Sequence, residues 1–307
     1  MFTFHPLSES VRRRLLDGGV DPDAVAAVVR MAVAEDLAGG IDVTSTATVP
    51  ATQRSIGTFG ARRPGTLAGL AVAAAVIETV CGAEASDFEF LAADGHRVAA
   101  GADVARVEAP TQLLLTAERS ALNLLCHLSG VATLTRRWSD ALEGTSARVR
   151  DTRKTTPGLR FLEKYAVRCG GGVNHRMALS DAALVKDNHV LAAGGVAEAF
   201  AAVRALADAI PVEIEVDSLD GLHEAMVAGA DLILLDNFTV EQMAAGVAAR
   251  AKHEAATGRR VVLEASGGLS IEVARAVAET GVDYIAVGGL THSAPVLDLG
   301  LDLRTII

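Results

Sequence analysis

Apolar positions in the second half of the chain follow a strand–helix rhythm. Short apolar runs end in polar residues and are followed by Ala-rich amphipathic stretches. The runs cover residues 147–151, 183–187, 212–217, 232–236, 261–264 and 284–288. This rhythm, with a repeat of roughly 20–35 residues, predicts six βα units in a parallel barrel or a doubly wound sheet. No Gly-x-Gly-x-x-Gly follows the first run, which disfavours a dinucleotide-binding domain.

The first third of the chain has a different pattern. Asp21-Pro22-Asp23 predicts the start of a helix that runs to about Leu37. Short alternating stretches with glycine turns predict β-sheet over 55–110, although the apolar run 67–80 is long enough for a helix. Residues 116–142 carry leucines at helical spacing, with an interruption at Gly130. These patterns predict a separate N-terminal unit.

Composition and charge narrow the functional classes. The chain has 307 residues, half of them apolar, and a net charge of −10, which disfavours nucleic acid as a partner. Three cysteines without ligand spacing argue against disulfides and suit a reducing compartment. The N-terminus lacks the pattern of a secretory signal, and the apolar runs are too short to span a bilayer. We therefore expect a cytoplasmic protein with no membrane partner.

The ends of the predicted strands carry the candidate chemistry, because a βα barrel has its active site there. Three of the four lysines of the chain (Lys154, Lys164 and Lys186) fall between residues 150 and 190. Cations follow the early strands, carboxylates follow the middle strands, and glycines follow the last two. The polar residues at the strand ends are Arg153, Lys154, Lys186, Asp187, Glu215, Asp217, Asp236, Asn237, Glu264, Ser266, Gly267, Gly268, Gly288 and Gly289. This distribution predicts a phosphorylated substrate, a second anionic substrate, and carboxylates for sugar hydroxyls or a divalent cation.

Several longer segments carry a family resemblance. Asp151-Thr152-Arg153-Lys154-Thr155, Asn174-His175-Arg176, Lys186-Asp187-Asn188-His189 and Glu264-Ala265-Ser266-Gly267-Gly268 occur in order. Together with further matches over nearly the whole chain, they resemble the quinolinate phosphoribosyltransferases. The resemblance implies an α/β fold with two domains. An N-terminal α/β sandwich would cover 1–115, with the segment about 290–307 packing on it, and an incomplete α/β (TIM-like) barrel would cover 116–289.

The resemblance also implies an activity and site residues. The activity is phosphoribosyl transfer from 5-phosphoribosyl 1-pyrophosphate (PRPP) to quinolinate, with decarboxylation to nicotinate mononucleotide in NAD biosynthesis. Mg²⁺ would accompany PRPP, and no organic cofactor is expected. The implied quinolinate-binding residues are Arg119, Arg153, His175, Arg176 and Lys186. The implied PRPP-binding residues are Thr152, Lys154, Glu215, Asp236, Ser266, Gly267, Gly268, Val287, Gly288 and Gly289.

Three of these residues have further implied roles, and one implies an assembly. Lys154, Glu215 and Asp236 would be catalytic, and the two carboxylates would also face Mg²⁺. Arg119 would complete the site of a neighbouring subunit in a homodimer or larger homo-oligomer. Glu213 and Asp217 are interpreted as supporting residues behind the site.

Other interpretations of the same residues stay open. Lys186 on a barrel strand could form a Schiff base, as lysines of aldolases do. The alternating segment near 95–110 faintly resembles a biotinyl or lipoyl carrier, although no lysine occurs before Lys154. A paralogue with the same barrel could act on another pyridine acid or serve molybdenum transport.

Overall fold

The chain divides into two compact units. A computed structural model describes residues 2–206 and 209–306. Unit 1 contains 1–136, 155–171 and 291–307, and unit 2 contains 137–154 and 172–290. The division lies at 136/137, inside one long helix, rather than at the expected 115/116. The reason is that this helix packs within unit 1 well beyond residue 115, since Ser129 and Thr133 hydrogen-bond to the backbone of Ala68 and Thr66.

Unit 1 is built on antiparallel sheet. Its four-stranded sheet has the order β12-β1-β5-β3, and a two-stranded sheet pairs β2 with β4. The strands are β1 Arg54–Ala61, β2 Gly65–Thr66, β3 Asp87–Phe90, β4 Arg97–Val98, β5 Asp103–Pro110 and β12 Leu299–Ile306. The last strand of the chain lies along β1 over its full length, from Ala61↔Leu299 to Arg54↔Ile306. The C-terminal segment is therefore part of this sheet.

The helices of unit 1 begin either at a capping side chain or, as after Gly69 and Leu159, without one. They are α1 Glu9–Asp17, α2 Pro22–Leu37, α3 Val43–Thr48, α4 Leu70–Cys81 and α6 Arg160–Cys169, together with most of α5 Thr111–Ala141. Asp21 caps α2 by accepting a hydrogen bond from Asp23 N at 2.9 Å, which confirms the predicted start. The Ala-rich run near 67–80 forms α4, and nearly all of its side chains are buried.

Gly130 does not interrupt α5, so the predicted interruption is wrong. The helix is continuous through this residue. A Cβ at Gly130 would overlap the carbonyl oxygen of Pro295 and lie 2.9 Å from Val296 Cα. Glycine is therefore present because backbone of unit 1 packs directly against the helix, not because the helix ends there.

Unit 2 contains the six predicted βα strands in one parallel sheet. They are β6 Arg148–Arg150, β7 Ala183–Val185, β8 Val212–Val216, β9 Leu232–Asp236, β10 Val262–Ser266 and β11 Tyr284–Ala286. The helices are α7 Asp187–Ala193, α8 Val196–Leu206, α9 Leu219–Ala228, α10 Val240–Thr257 and α11 Ile271–Glu279. A short last helix, α12 Gly289–His292, is divided between the two units after Leu290. These elements confirm the predicted α/β class.

The strand order decides between the two predicted architectures. It is β6-β11-β10-β9-β8-β7, so successive strands from β7 to β11 are neighbours and β6 and β7 form the two edges. This is the order of an α/β barrel left open between its first two strands, not of a doubly wound sheet. Within the described residues no single helix is apolar and long enough to cross a membrane, and only the bent pair α7–α8 passes that test in combination.

Candidate active site

A cavity of about 280 Å³ lies at the carboxyl ends of the unit 2 strands. It collects many of the polar side chains that the sequence places at strand ends. The residues that line it are Thr152, Arg153, Lys154, His175, Arg176, Leu184, Lys186, Glu215, Leu234, Glu264, Ser266 and Ala286. Strand ends separated by up to 134 positions in the sequence, from Thr152 to Ala286, thus meet at one site, as parallel strands require.

Cations form one part of the cavity wall. Arg153, Lys154, Arg176 and Lys186 all line it. The pKa of Arg176 is lowered by burial and next by the positive charge of Arg153, while Glu213 and Asp181 oppose the shift. Like charges held this close favour a bound anion, and guanidinium groups suit carboxylates because they donate two parallel hydrogen bonds.

Lys186 has a carboxylate partner inside the cavity. Its Nζ lies 2.5 Å from Glu215 Oε2, and the two residues end the neighbouring strands β7 and β8. An ammonium group paired with a carboxylate has no free lone pair for nucleophilic attack. This geometry favours a binding role for Lys186 over a Schiff base.

The loop that carries His175 and Arg176 is fixed by Asp151. The Asp151 side chain is fully buried at the end of β6. It accepts hydrogen bonds from Asn174 Nδ2 at 2.6 Å and from the His175 backbone N–H at 2.8 Å. The two donors belong to adjacent residues of the loop. Their shared acceptor therefore fixes the backbone from which the His175 and Arg176 side chains extend.

Both ring nitrogens of His175 have protein partners. The backbone N–H of Arg176 lies 2.7 Å from His175 Nδ1, so Nδ1 is the acceptor. A neutral imidazole that accepts at Nδ1 carries its proton at Nε2. That proton is donated to Glu213 Oε2 at 2.6 Å. The contacts thus favour one neutral tautomer, held from behind the cavity.

A buried ionisable cluster surrounds this histidine. Arg150 Nη1 donates to Glu264 Oε2 at 2.6 Å, and Glu264 Oε1 lies 3.7 Å from His175 Nε2. Glu213 Oε1 and Glu264 Oε1 are buried and have no hydrogen-bond partner. Burial is the first cause that raises the pKa of each glutamate to about 7, with Arg150 opposing the shift in both.

Sequence reasoning found only part of this cluster. Glu264 was noted as a strand-end residue, Glu213 only as a supporting residue, and Arg150 not at all. The sequence signal that could have identified these residues is a charged side chain at a strand position that faces the inside of a barrel. Glu213 and Glu215 alternate with buried Ile214 along β8, and Arg150 lies at the end of the β6 segment Arg148-Val149-Arg150. Alternation alone could not show that these side chains meet.

Two sets of residues offer side-chain atoms that could bind a metal ion. His175, Glu213 and Glu264 offer ligand atoms within 4.8 Å of one another, but His175 Nε2 carries a proton and the Arg150 cation already pairs with Glu264, which disfavours a further cation. Glu215 and Asp236 end the adjacent strands β8 and β9. Their carboxylate oxygens are the donor type that Mg²⁺ prefers. Because Glu215 Oε2 pairs with Lys186 and Asp236 Oδ2 accepts from Asn237, Glu215 Oε1 and Asp236 Oδ1 are the oxygens of this pair that would hold the expected ion.

The remaining implied PRPP-binding residues lie outside the residues that line the cavity. They are Asp236, Gly267, Gly268, Val287, Gly288 and Gly289, which end or follow β9, β10 and β11. Asp236 Oδ2 accepts a hydrogen bond from Asn237 Nδ2 at 2.7 Å. Gly267 has φ +97, and a Cβ there would overlap the Asn237 side chain and lie 2.7 Å from its backbone N. Glycine thus lets the loops after β9 and β10 approach closely.

Arg119 belongs to the other unit. It lies on the long helix α5, in unit 1, and its side chain is exposed.

Comparisons with known proteins agree on one family. The C-terminal domain profile of quinolinate phosphoribosyl transferase matches residues 131–302, and the N-terminal domain profile matches 42–129. The nicotinate-nucleotide pyrophosphorylase [carboxylating] of Mycobacterium leprae is 52% identical over 92% of this chain and 98% of its own length. A probable enzyme of the same name from Bacillus subtilis is 42% identical over 68% of this chain and 71% of its own length.

Solved structures give the same result. The crystal structure of NadC from Streptococcus pyogenes matches with a TM-score of 0.87 and 37% identity, over 94% of this chain and 99% of that one. The nicotinate-nucleotide pyrophosphorylase of Francisella tularensis matches with a TM-score of 0.85 and 36% identity, over 92% and 96%. The sequence profiles, the curated relatives and the solved folds coincide over both units. The chain therefore belongs to the quinolinate phosphoribosyltransferase family.

Proposed function

We propose that this protein transfers the phosphoribosyl group of PRPP to quinolinate and releases pyrophosphate and CO₂, giving nicotinate mononucleotide for NAD biosynthesis. The observation that carries the proposal is the cavity at the strand ends, where four cations face Glu215. The cations of the cavity suit two anionic substrates. The carboxylate suits the ribose of PRPP, which becomes positively charged in the transition state. Relatives are named for this activity in both directions, carboxylating and decarboxylating.

The cationic wall is assigned to quinolinate. Arg153, Arg176 and Lys186 line the cavity and would pair with the two ring carboxylates. His175 would act mainly through its contact with the Arg176 backbone, since both of its ring nitrogens have protein partners. A protein of net charge −10 needs such a local concentration of cations to hold a dianion.

The carboxylates and glycines are assigned to PRPP. Thr152, Lys154, Glu215 and Asp236 would hold the ribose and pyrophosphate, and Mg²⁺ bound with PRPP would neutralise the leaving pyrophosphate. Glu215 and Asp236 would hold that ion and, with Lys154, serve as the catalytic residues. The 5-phosphate is assigned to the loops after β10 and β11, at Ser266, Gly267, Gly268, Val287, Gly288 and Gly289. Backbone N–H groups of such glycine loops are common phosphate donors.

The proposed reaction needs positioned charges but no covalent enzyme intermediate. The pyridine nitrogen attacks the anomeric carbon of the ribose as pyrophosphate leaves. Carboxylates near the sugar stabilise the positive charge that develops on it. The quaternary nitrogen then accepts electron density as the bond to the neighbouring carboxylate breaks. No organic cofactor has a role in this sequence.

Assembly and compartment are part of the same proposal. We infer a cytoplasmic homodimer or larger homo-oligomer in which Arg119 contacts quinolinate bound to a neighbouring subunit. Its exposure on α5 leaves the side chain accessible to such a partner. Arg119→Ala and Lys154→Ala should each be nearly inactive, and mixing them should restore part of the activity through hybrid dimers. Absence of recovery despite proven subunit exchange would contradict a shared site.

A substrate comparison tests the activity. Purified protein is incubated with PRPP, Mg²⁺ and either quinolinate or nicotinate, and nicotinate mononucleotide and CO₂ are measured. Quinolinate should be strongly preferred, because nicotinate lacks one carboxylate and leaves cavity cations unpaired. Each lost charge-assisted contact is worth about 1.5–3 kcal/mol, or roughly ten- to a hundredfold in kcat/KM. Comparable kcat/KM values for the two acids would overturn the assignment.

A further inference from the structure

Glu264 is a buried carboxyl group that nevertheless borders the active-site cavity. It lies on β10, two residues before the strand-end Ser266, and both residues line the cavity. The side chain is fully buried. Its Oε2 accepts from Arg150, whereas its Oε1 has no hydrogen-bond partner. A carboxylate oxygen without a donor is costly in such an environment, and a protonated oxygen would remove that cost.

The groups around Glu264 favour retention of a proton at neutral pH. Arg150 faces it from β6, Glu213 from β8, Tyr284 from β11 and His175 from the loop before β7. Burial and, next, the Glu213 charge raise the pKa of Glu264 to about 7, although the Arg150 guanidinium opposes the shift. The single guanidinium cannot neutralise two carboxylates, so the cluster favours one bound proton.

The proposed reaction requires an acid that its other steps leave unassigned. When the bond between the ring carbon and its carboxylate breaks, the electron pair stays on that carbon, which must then take up a proton. His175 has both ring nitrogens engaged with protein partners. Lys186, which is paired with Glu215, and Lys154 also line the cavity, but ammonium groups are much weaker acids than a carboxylic acid. The hydroxyls of Thr152 and Ser266 are much weaker acids than a carboxylic acid.

Resting on the proposed function, we propose that Glu264 is the general acid that protonates the ring carbon from which CO₂ departs. The carbon–carboxylate bond breaks and CO₂ leaves without the bonding pair. The Glu264 O–H bond breaks, its proton joins the ring carbon, and Glu264 becomes a carboxylate. It regains a proton from water before the next turnover, so the net reaction consumes one solvent proton.

A single-turnover experiment separates this step from phosphoribosyl transfer. Wild-type protein and Glu264→Gln are mixed with quinolinate, PRPP and Mg²⁺, and pyrophosphate and CO₂ are measured on quenched samples. In Glu264→Gln, CO₂ formation should slow by about 100- to 10,000-fold, the usual contribution of a general acid. Pyrophosphate formation should change by less than about tenfold, so quinolinate mononucleotide should accumulate.

A matched control is Glu78→Gln. Glu78 is also buried, but it lies in unit 1, where it accepts hydrogen bonds from Ser8. It should leave both product rates within about threefold of the wild type, with the rates taken at a temperature where the variant remains folded. Equal loss of pyrophosphate and CO₂ formation in folded Glu264→Gln, or retention of both rates, would overturn the role of Glu264.

The wild type provides a test that does not depend on how a variant folds. The single-turnover rate of CO₂ formation should fall as pH rises through about 7, while the pyrophosphate rate should not follow the same curve. A CO₂ rate that stays constant up to pH about 9, well above this pKa, would overturn the proposal. If wild-type protein makes no nicotinate mononucleotide, the proposed function itself fails, which is a different result from either outcome for Glu264.

Discussion

The two units bury charge in different ways. In unit 1 the buried glutamates have several donors: Ser8 N and Oγ contact Glu78 at 2.8 and 2.6 Å, and His127 Nε2 and Thr156 N contact Glu163 at 2.9 and 3.0 Å. In unit 2, Glu213 and Glu264 each retain a buried oxygen without a partner. In the described parts of the chain, these are the only carboxylate oxygens in that condition.

This difference indicates which unit is organised for chemistry. The glutamates of unit 1 accept hydrogen bonds from neighbouring backbone and side chains, and these donors compensate for the burial of their charge. The charged cluster of unit 2 lowers the stability of the folded state relative to an apolar core, because buried charge pairs can often be replaced by apolar residues without loss of stability. Unit 1 should therefore be sensitive mainly to changes in volume, and unit 2 to changes in charge.

Removal of the buried cation of unit 2 should have the largest effect on stability. Arg150→Met leaves Glu264 and Glu213 without the guanidinium that faces them. We expect a loss of about 3–5 kcal/mol in the free energy of unfolding, measured with urea, as for a broken buried ion pair. Arg150→Met/Glu264→Gln should recover part of that loss. A loss below about 1 kcal/mol for the single variant at pH 8 would show that the two glutamates bind protons when the guanidinium is absent and do not remain as unpaired charges.

A change in volume should affect unit 1 next. Gly130→Ala places a Cβ against the Pro295 carbonyl oxygen, so we expect a loss of about 1–3 kcal/mol from overpacking. Gly246→Ala in helix α10 is the control in unit 2, because its Cβ would meet only the ends of leucine side chains, the nearest being Leu222 Cδ2 at 3.1 Å. It should be neutral or gain up to about 1 kcal/mol from helix propensity. Equal losses at both glycines would contradict a special close approach at Gly130.

The pH dependence of stability sharpens the comparison. An unfolded glutamate ionises near pH 4.3, whereas Glu264 holds its proton to about pH 7. Between these values the folded state keeps the proton while the unfolded chain loses it, so the unfolded state is favoured increasingly and stability falls as pH rises to about 7. Glu264→Gln lacks that loss, and its stability relative to wild type should improve by roughly 1–3 kcal/mol from pH 5 to pH 8. Glu78→Gln is the control, and a shift of equal size there would contradict the assignment to unit 2.

Helix caps should have the smallest effects and should not distinguish the units. Asp21 caps α2 in unit 1, and Thr239 caps α10 in unit 2 through Gln242 N at 3.2 Å. Asp21→Ala and Thr239→Ala should each cost about 1 kcal/mol, measured by urea unfolding. A cost several times larger in one unit would show that its cap has a tertiary role as well.

The sequence by itself determined the six strands of unit 2, the start of α2 and most of the polar residues that line the cavity. Alternation with a period of two located β8, and Asp21-Pro22 located the start of α2, because these signals depend on residues only a few positions apart. The segments around Arg153, His175 and Lys186 also predicted which strand ends would carry cations. Parallel strands bring their carboxyl ends together, so order along the chain was enough to predict their meeting.

The tertiary structure alone decided which buried groups pair. Arg150 and Glu264 are 114 positions apart, and nothing local in either strand indicates the other. The tautomer of His175 follows from two partners, of which the Arg176 backbone is local but Glu213 lies 38 positions away and reaches the ring only in the folded sheet. Gly130 likewise suggested a break in the helix, whereas the tertiary structure shows that it makes room for the Pro295 carbonyl oxygen. Contacts between distant segments depend on how the sheet closes, and a one-dimensional pattern does not contain that geometry.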